Sequence, residues 1–190
     1  MRPPPIPIES FSSEFWPADW TQQKQGSGIT NRWVLAISSS AGGSPNEMWC
    51  LWESVNPGTS RLVTPPIDTT GYNLLNLKFK HYLDAWGVGG LTIKIQTSTD
   101  GLTWTDEPWS LLTGYDNIGP ETVNTILTHN LNSATTYVAF VIIGDLYHFD
   151  HWAIDNVSID RGSFVSAGSW TGRPRDGRLV RRGLQWGSQG

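Results

Sequence analysis

From Leu91 onward the chain alternates strictly: Leu91, Ile93 and Ile95 are apolar, while Thr92, Lys94 and Gln96 between them are polar. Leu75, Leu77 and Phe79 alternate with Asn76, Lys78 and Lys80 in the same way. A period of two places one set on a buried face and the other in water, which is the mark of a half-buried strand. No 3.6-residue amphipathic pattern of useful length occurs. The pattern predicts strands over Trp33–Ser38, Glu47–Glu53, Ser60–Thr64, Leu74–Tyr82, Leu91–Ser98, Thr122–Thr128, Thr136–Ile143 and Ala153–Ile159. The segments AGGSPN, NPGT, DTTGYN, GVGG, TDGLTW and LNSATT separate them with Gly, Asn, Asp and Pro turn chemistry. Strands with one wet face and one dry face pack as two antiparallel sheets. The expected fold is therefore all-β, an antiparallel two-sheet β-sandwich of the jelly-roll, galactose-binding-like kind.

The last strand carries one residue that breaks its pattern. In Tyr147–Asp160, YHFDHWAIDNVSID, residues Ala153, Ile154, Val157 and Ile159 are strand-like, and Asp155 directly follows Ile154. A carboxylate buried there is costly unless something pairs with it. Two explanations stand side by side. A bound cation would pair with it, or a bulge or edge would let it reach solvent or cap a backbone N–H.

Composition narrows the class. Eleven Trp and 12% aromatic residues exclude a disordered chain, and charged residues are only 16%, against an ordinary share of roughly 25%. The length of 190 residues suits one domain with a large core. The single Cys50 excludes an intrachain disulfide and a cysteine metal cluster, and its apolar neighbours in MWCLW predict a buried, inert thiol. No run approaches the roughly 18 apolar residues of a membrane-spanning helix. The start, MRPPPIPIES, lacks a signal-type apolar run, and residues 1–7 read as a Pro-rich linker stub. The expectation is a piece of an exported protein, secreted or at the cell surface, with its sandwich over residues 8–160. Residues 161–190 form a separate tail with six Arg and one acid, a net +5 beside −9 for the rest. Its interspersed Phe164, Val165, Trp170, Leu179, Val180, Leu184 and Trp186 favour docking on its own body or on another copy over nucleic-acid binding.

Candidate chemistry is sparse. His148, Asp150 and His151 cluster in sequence; in a strand the two histidines face opposite ways, whereas in a turn they could converge on one ion with Asp150. His81 and Asp84 could join them only through tertiary structure. No GxSxG, HExxH or phosphate-loop pattern is present. The expectation is no enzyme. Flat aromatic rings stack on sugar faces, and Trp86, Trp104 and Trp109, with Tyr115 and Asp116, fall in or beside predicted loops. They are candidate ligand-binding residues, against the ordinary role of anchoring loops to the core. Trp33, Trp49, Trp52 and Trp152 lie in predicted strands and are expected in the core.

Five segments in order carry a family resemblance. They are IESFSSEFWPADW, AGGSPNEMW, SRLVTPPIDTTGYNLLNLKFKHYLDAW, TIKIQTSTDGLTW and HWAIDNVSI. Together they resemble the extracellular jelly-roll domains grouped around MAM domains, cleaved-adhesin domains of bacterial surface proteases and choice-of-anchor J domains. The resemblance covers roughly residues 8–160 and leaves the tail out. It implies a structural calcium joining the first segment to the last strand, carried here by Glu9 and Asp155, with Glu47 and loop carbonyls as further ligands. Calcium's preference for six to eight oxygen ligands suits such a set. The implied function is a non-catalytic adhesion or binding module for a glycan or protein surface. Sugar binding through exposed Trp, and a surface assembly built through the tail, are the alternatives.

Overall fold

The computed structural model describes residues 9–26, 30, 32–54, 57–86 and 89–160. Ten strands follow in order: β1 Thr21–Gln25, β2 Trp33–Ala36, β3 Glu47–Leu51, β4 Pro57–Val63, β5 Leu75–Ala85, β6 Thr92–Ser98, β7 Thr105–Leu112, β8 Ile118–Leu127, β9 Tyr137–Asp145 and β10 Phe149–Asp160. They form two five-stranded sheets, ordered β1-β4-β9-β6-β7 and β2-β3-β10-β5-β8. All pairings are antiparallel. The β-sandwich expected from alternation is what the chain forms. No helix long and apolar enough to cross a membrane occurs among the described residues.

The alternating positions meet between the sheets. Leu75, Leu77 and Phe79 of β5 face Ile93 and Ile95 of β6 and Val138, Phe140 and Ile142 of β9, all buried in one core. Aromatic rings are part of this core: Trp33 packs on Trp152 at 5.7 Å, and Phe79 meets Phe140 edge-on at 5.0 Å. The segment before β1 is also part of the core. Phe11 packs against Trp20, and Trp20 stacks on Phe140.

Two strands escaped the pattern. β1 reads TQQKQ, with no apolar residue, and β7 contains Pro108. Both are sheet edges, where a strand need bury neither face fully and a missing N–H costs least.

Two tryptophans expected in the core are elsewhere. Trp49 lies half-buried outside the core, stacked on His151 at 3.9 Å. Trp52 follows the end of β3 and is 43% exposed. Gln96 departs from expectation in the other sense. It faces outward from β6 but is buried, accepting a hydrogen bond from Arg61 and donating to Asp106. Residues 1–7 and the tail from 161 lie outside the described residues.

Candidate functional site

β10 has β5 along nearly its whole length on one side. On the other side β3 accompanies it only from His151 to Ile154, ending at the Ile154–Met48 pair. Beyond that gap the N-terminal segment takes over. Glu9 and Val157 exchange two backbone hydrogen bonds of 2.7 and 2.8 Å. Asp155 and Asn156 therefore occupy the seam where one neighbour stops and the next begins. The pairing with β5 shifts register here, and Asn156 adopts the left-handed region at φ 51°, a conformation that Asn tolerates better than most residues.

Asp155 is completely buried. Its Oδ1 accepts the Asn156 N–H at 2.6 Å, while Oδ2 has no hydrogen-bond partner. The loop between β2 and β3 presses on this oxygen. A Cβ placed on Gly43 would stand 1.5 Å from Asp155 Oδ2, so the backbone closes over the carboxylate only because residue 43 has no side chain. Burial raises the Asp155 pKa to about 6, and the Glu47 and Glu9 charges push the same way. The Asn156 N–H and the Lys80 ammonium oppose this without overcoming it.

The other two carboxylates come from different segments. Glu47, the first residue of β3, is buried and already well partnered. It accepts N–H groups from Ser40 (2.9 Å) and Ala41 (2.8 Å) and the Trp49 indole N–H (2.7 Å), clamping the β2–β3 loop. Glu9 Oε1 accepts the Phe11 N–H at 2.7 Å. Lys80 donates to the Gly42 carbonyl of the same loop.

The fold thus gathers Glu9, Glu47 and Asp155 at one seam, close enough for the first two to act electrostatically on the third. As they stand, no three His, Cys, Asp or Glu side chains among the described residues are arranged to hold a metal ion. The feature that fits a cation is narrower: a buried carboxylate oxygen without a partner, an oxygen ligand of the kind hard cations prefer.

The histidines do not converge. His151 stacks on Trp49, and His148 lies beside Trp86 at 6.1 Å. His81 faces the core. It takes the Trp152 indole N–H on Nδ1 (3.4 Å) and donates from Nε2 to Glu121 (2.9 Å). Burial lowers its pKa against the pull of Glu121, which makes it a neutral structural group. Cys50 is buried, with its thiol pushed up to about 12 by desolvation, so no thiolate nucleophile is available. Glu107, also buried, clamps the chain at Thr128 and His129 by accepting both backbone N–H groups.

The aromatic candidates divide. Trp104 packs on the outer face of its sheet against Val63, Ala139 and Val141, with the Arg61 guanidinium 5.5 Å from its ring. Trp109 packs into the core, edge-on to Phe79 at 5.2 Å. Both are anchors. Trp86 is 38% exposed and Tyr115 70% exposed, and Asp116 is exposed beside it. Tyr115 and Asp116 sit on the β7–β8 connection, where Asn117 Oδ1 accepts the Ala85 N–H and the Thr113 carbonyl accepts the Gly90 N–H.

Trp86 has companions that the sequence did not single out. Tyr147 meets it at 4.8 Å and Trp52 at 5.9 Å, edge-on to both. Backbone bonds tie their segments together: Trp52 N–H to Asp150, Trp86 N–H to His148, and Glu53 N–H to Leu146, next to Tyr147. One signal was present in the sequence. Trp52 and Tyr147 each adjoin turn-forming residues, as Trp86 does.

No family model matches the chain, and no curated protein matches it in sequence. Solved structures do match its fold. The K3 cleaved-adhesin domain of Lys-gingipain from Porphyromonas gingivalis W83 is 18% identical with a TM-score of 0.56, covering 84% of this chain and 100% of that one. The K1 cleaved-adhesin domain of the same protein is also 18% identical, with a TM-score of 0.55 over 80% of this chain and 96% of its own. A structure from the carbohydrate-binding modules of the β-sandwich superfamily is 11% identical with a TM-score of 0.52, covering 80% of this chain and 61% of that one. The chain has the sandwich fold of these domains. The likeness to MAM and choice-of-anchor J domains rests on segment order alone.

Proposed function

We propose that this chain is a non-catalytic extracellular binding or adhesion module, braced by a structural divalent cation at the seam between its first segment and its last strand. The observation that carries the reading is the Asp155 carboxylate, buried with Oδ2 unpartnered and with Glu9 and Glu47 acting on it. An arrangement of three acids costs stability if nothing neutralises it. A calcium ion would use Asp155 and Glu9, supplemented by carbonyl oxygens of the β2–β3 loop, with Glu47 adding charge while it holds that loop. The ion would supply charge neutralisation and a cross-link, and no chemistry. The module reading draws further support from the inert thiol, the scattered histidines and the clamp role of Glu107. Cleaved-adhesin domains and a carbohydrate-binding module share the fold.

A thermal melt with calcium and with a chelator tests the brace. A ligand that binds only the folded state stabilises by RT ln(1 + [L]/Kd), about 2.7 kcal/mol at a hundredfold excess over Kd. For a chain of this size that is roughly 5–10 °C in Tm. No calcium-dependent rise would remove the cation. Arrays of glycans and extracellular matrix proteins test the module itself, and failure to bind any of them would remove that reading.

A further inference from the structure

We infer that Trp52, Tyr147 and Trp86 form a binding surface for a neutral oligosaccharide. This rests on the binding-module reading and names its ligand class and its site.

The three residues come from three separate connections, after β3, after β5 and between β9 and β10, brought together at one end of the sandwich. Tyr147 stands between the two indoles and braces both edge-on. Neither indole is buried by the contact: Trp52 remains 43% exposed and Trp86 38% exposed. Backbone hydrogen bonds to Asp150 and His148 anchor the main chain at both positions, and the Tyr147 ring contacts both indoles. Two exposed aromatic surfaces held in advance lower the ordering cost of binding.

The surroundings select the ligand. A pyranose ring has a face of C–H groups that suits an indole and a rim of hydroxyls that needs hydrogen-bonding partners. Asp145, whose carboxylate also accepts the Tyr147 N–H, and His148, 3.7 Å from that carboxylate, stand at this rim. Asp150 is exposed and its backbone carbonyl takes the Trp52 N–H, and Arg32 donates to the Trp52 carbonyl. The one guanidinium here, Arg32, already pairs with Glu53 at 3.9 Å, so the Asp145 and Asp150 carboxylates leave the rim net negative. Such a rim repels uronate and sulfated glycans and an anionic lipid surface, and it leaves neutral sugars favoured.

The full chain is run in native affinity gels containing soluble neutral β-glucan, xylan, galactan or mannan, with a sulfated polysaccharide and anionic phospholipid vesicles as comparators. At least one neutral polysaccharide retards it. Trp52→Ala and Trp86→Ala each weaken that retardation about tenfold or more, as expected for a central aromatic anchor. Tryptophan oxidation mapped by mass spectrometry gives a reading on the unmutated protein. The polysaccharide protects Trp52 and Trp86 but not Trp16, which is comparably exposed at 37%. The inference is overturned if no neutral polysaccharide binds, if the sulfated polymer or the vesicles bind in preference, or if binding survives in both variants with neither indole protected. Capture by a matrix protein without any glycan would overturn this inference and leave the module reading standing. Capture by nothing would remove both.

Discussion

Replacing Asp155 by Asn separates the cost of a buried charge from the gain of a bound cation. The folded state raises this carboxyl from 3.8 to about 6. A shift of about two pKa units corresponds to ~3 kcal/mol between the protonation states. The sign follows from the direction. A group whose folded pKa is raised contributes stability below its unfolded pKa and loses it as pH climbs through the folded value. In chelator, wild-type protein therefore gives up as much as ~3 kcal/mol between about pH 4 and pH 7. Asp155→Asn keeps an oxygen for the Asn156 N–H and carries no charge, so it gives up none of this. The two proteins should be nearly equal in stability near pH 4. The variant should be more stable by as much as ~3 kcal/mol near pH 8, or roughly 6–12 °C in Tm. His81 and His151, both lowered by burial, lose stability in the opposite direction as pH falls. They titrate in both proteins, and the difference between the two curves cancels them. Calcium should then reverse the order by raising wild type and leaving the variant unmoved. Urea denaturation at the two pH values, with calcium and with chelator, reads all four quantities. A variant that is equally less stable at both pH values in chelator would refute the burial argument. A variant that calcium stabilises as much as wild type would place the ion elsewhere.

Three other perturbations test neighbouring parts of the argument. Glu47→Ala leaves the Ser40 and Ala41 amides and the Trp49 indole without their acceptor, and should cost about 3 kcal/mol or more by chemical denaturation. Gly43→Ala puts a methyl group where Asp155 Oδ2 now lies. It should cost about 1–3 kcal/mol and shrink any calcium-dependent rise in Tm. An unchanged calcium response there would mean that the loop does not line the cation site. Trp104→Ala should destabilise by about 2–3 kcal/mol, because it uncovers Val63, Ala139 and Val141, while leaving polysaccharide retardation intact. Lost retardation in a variant that remains folded would assign Trp104 to the ligand.

The strands with an inside and an outside were legible along the chain. Alternation is a local property, and Leu75–Phe79 and Leu91–Ile95 state which residues face the core without reference to anything distant. The odd position of Asp155 was legible for the same reason. Of the two explanations the sequence left open, the structure shows the bulge that caps a backbone N–H: a register shift lets Oδ1 accept the next N–H, while burial leaves Oδ2 without a partner. The edge strands were not legible, because TQQKQ and a Pro-containing run earn their place only by pairing with a neighbour. Nor was the aromatic end. Trp52, Trp86 and Tyr147 are far apart in sequence, and each could as well have anchored its own loop, as Trp104 and Trp109 do. Residues 9, 47 and 155 meet for a similar reason. β3 stops one residue short of pairing with Asp155, and the N-terminal segment continues the same side of β10 at Val157. Residue type and period are carried by neighbours in the chain, whereas convergence is decided by strand order, and strand order exists only once the two sheets have closed on their core.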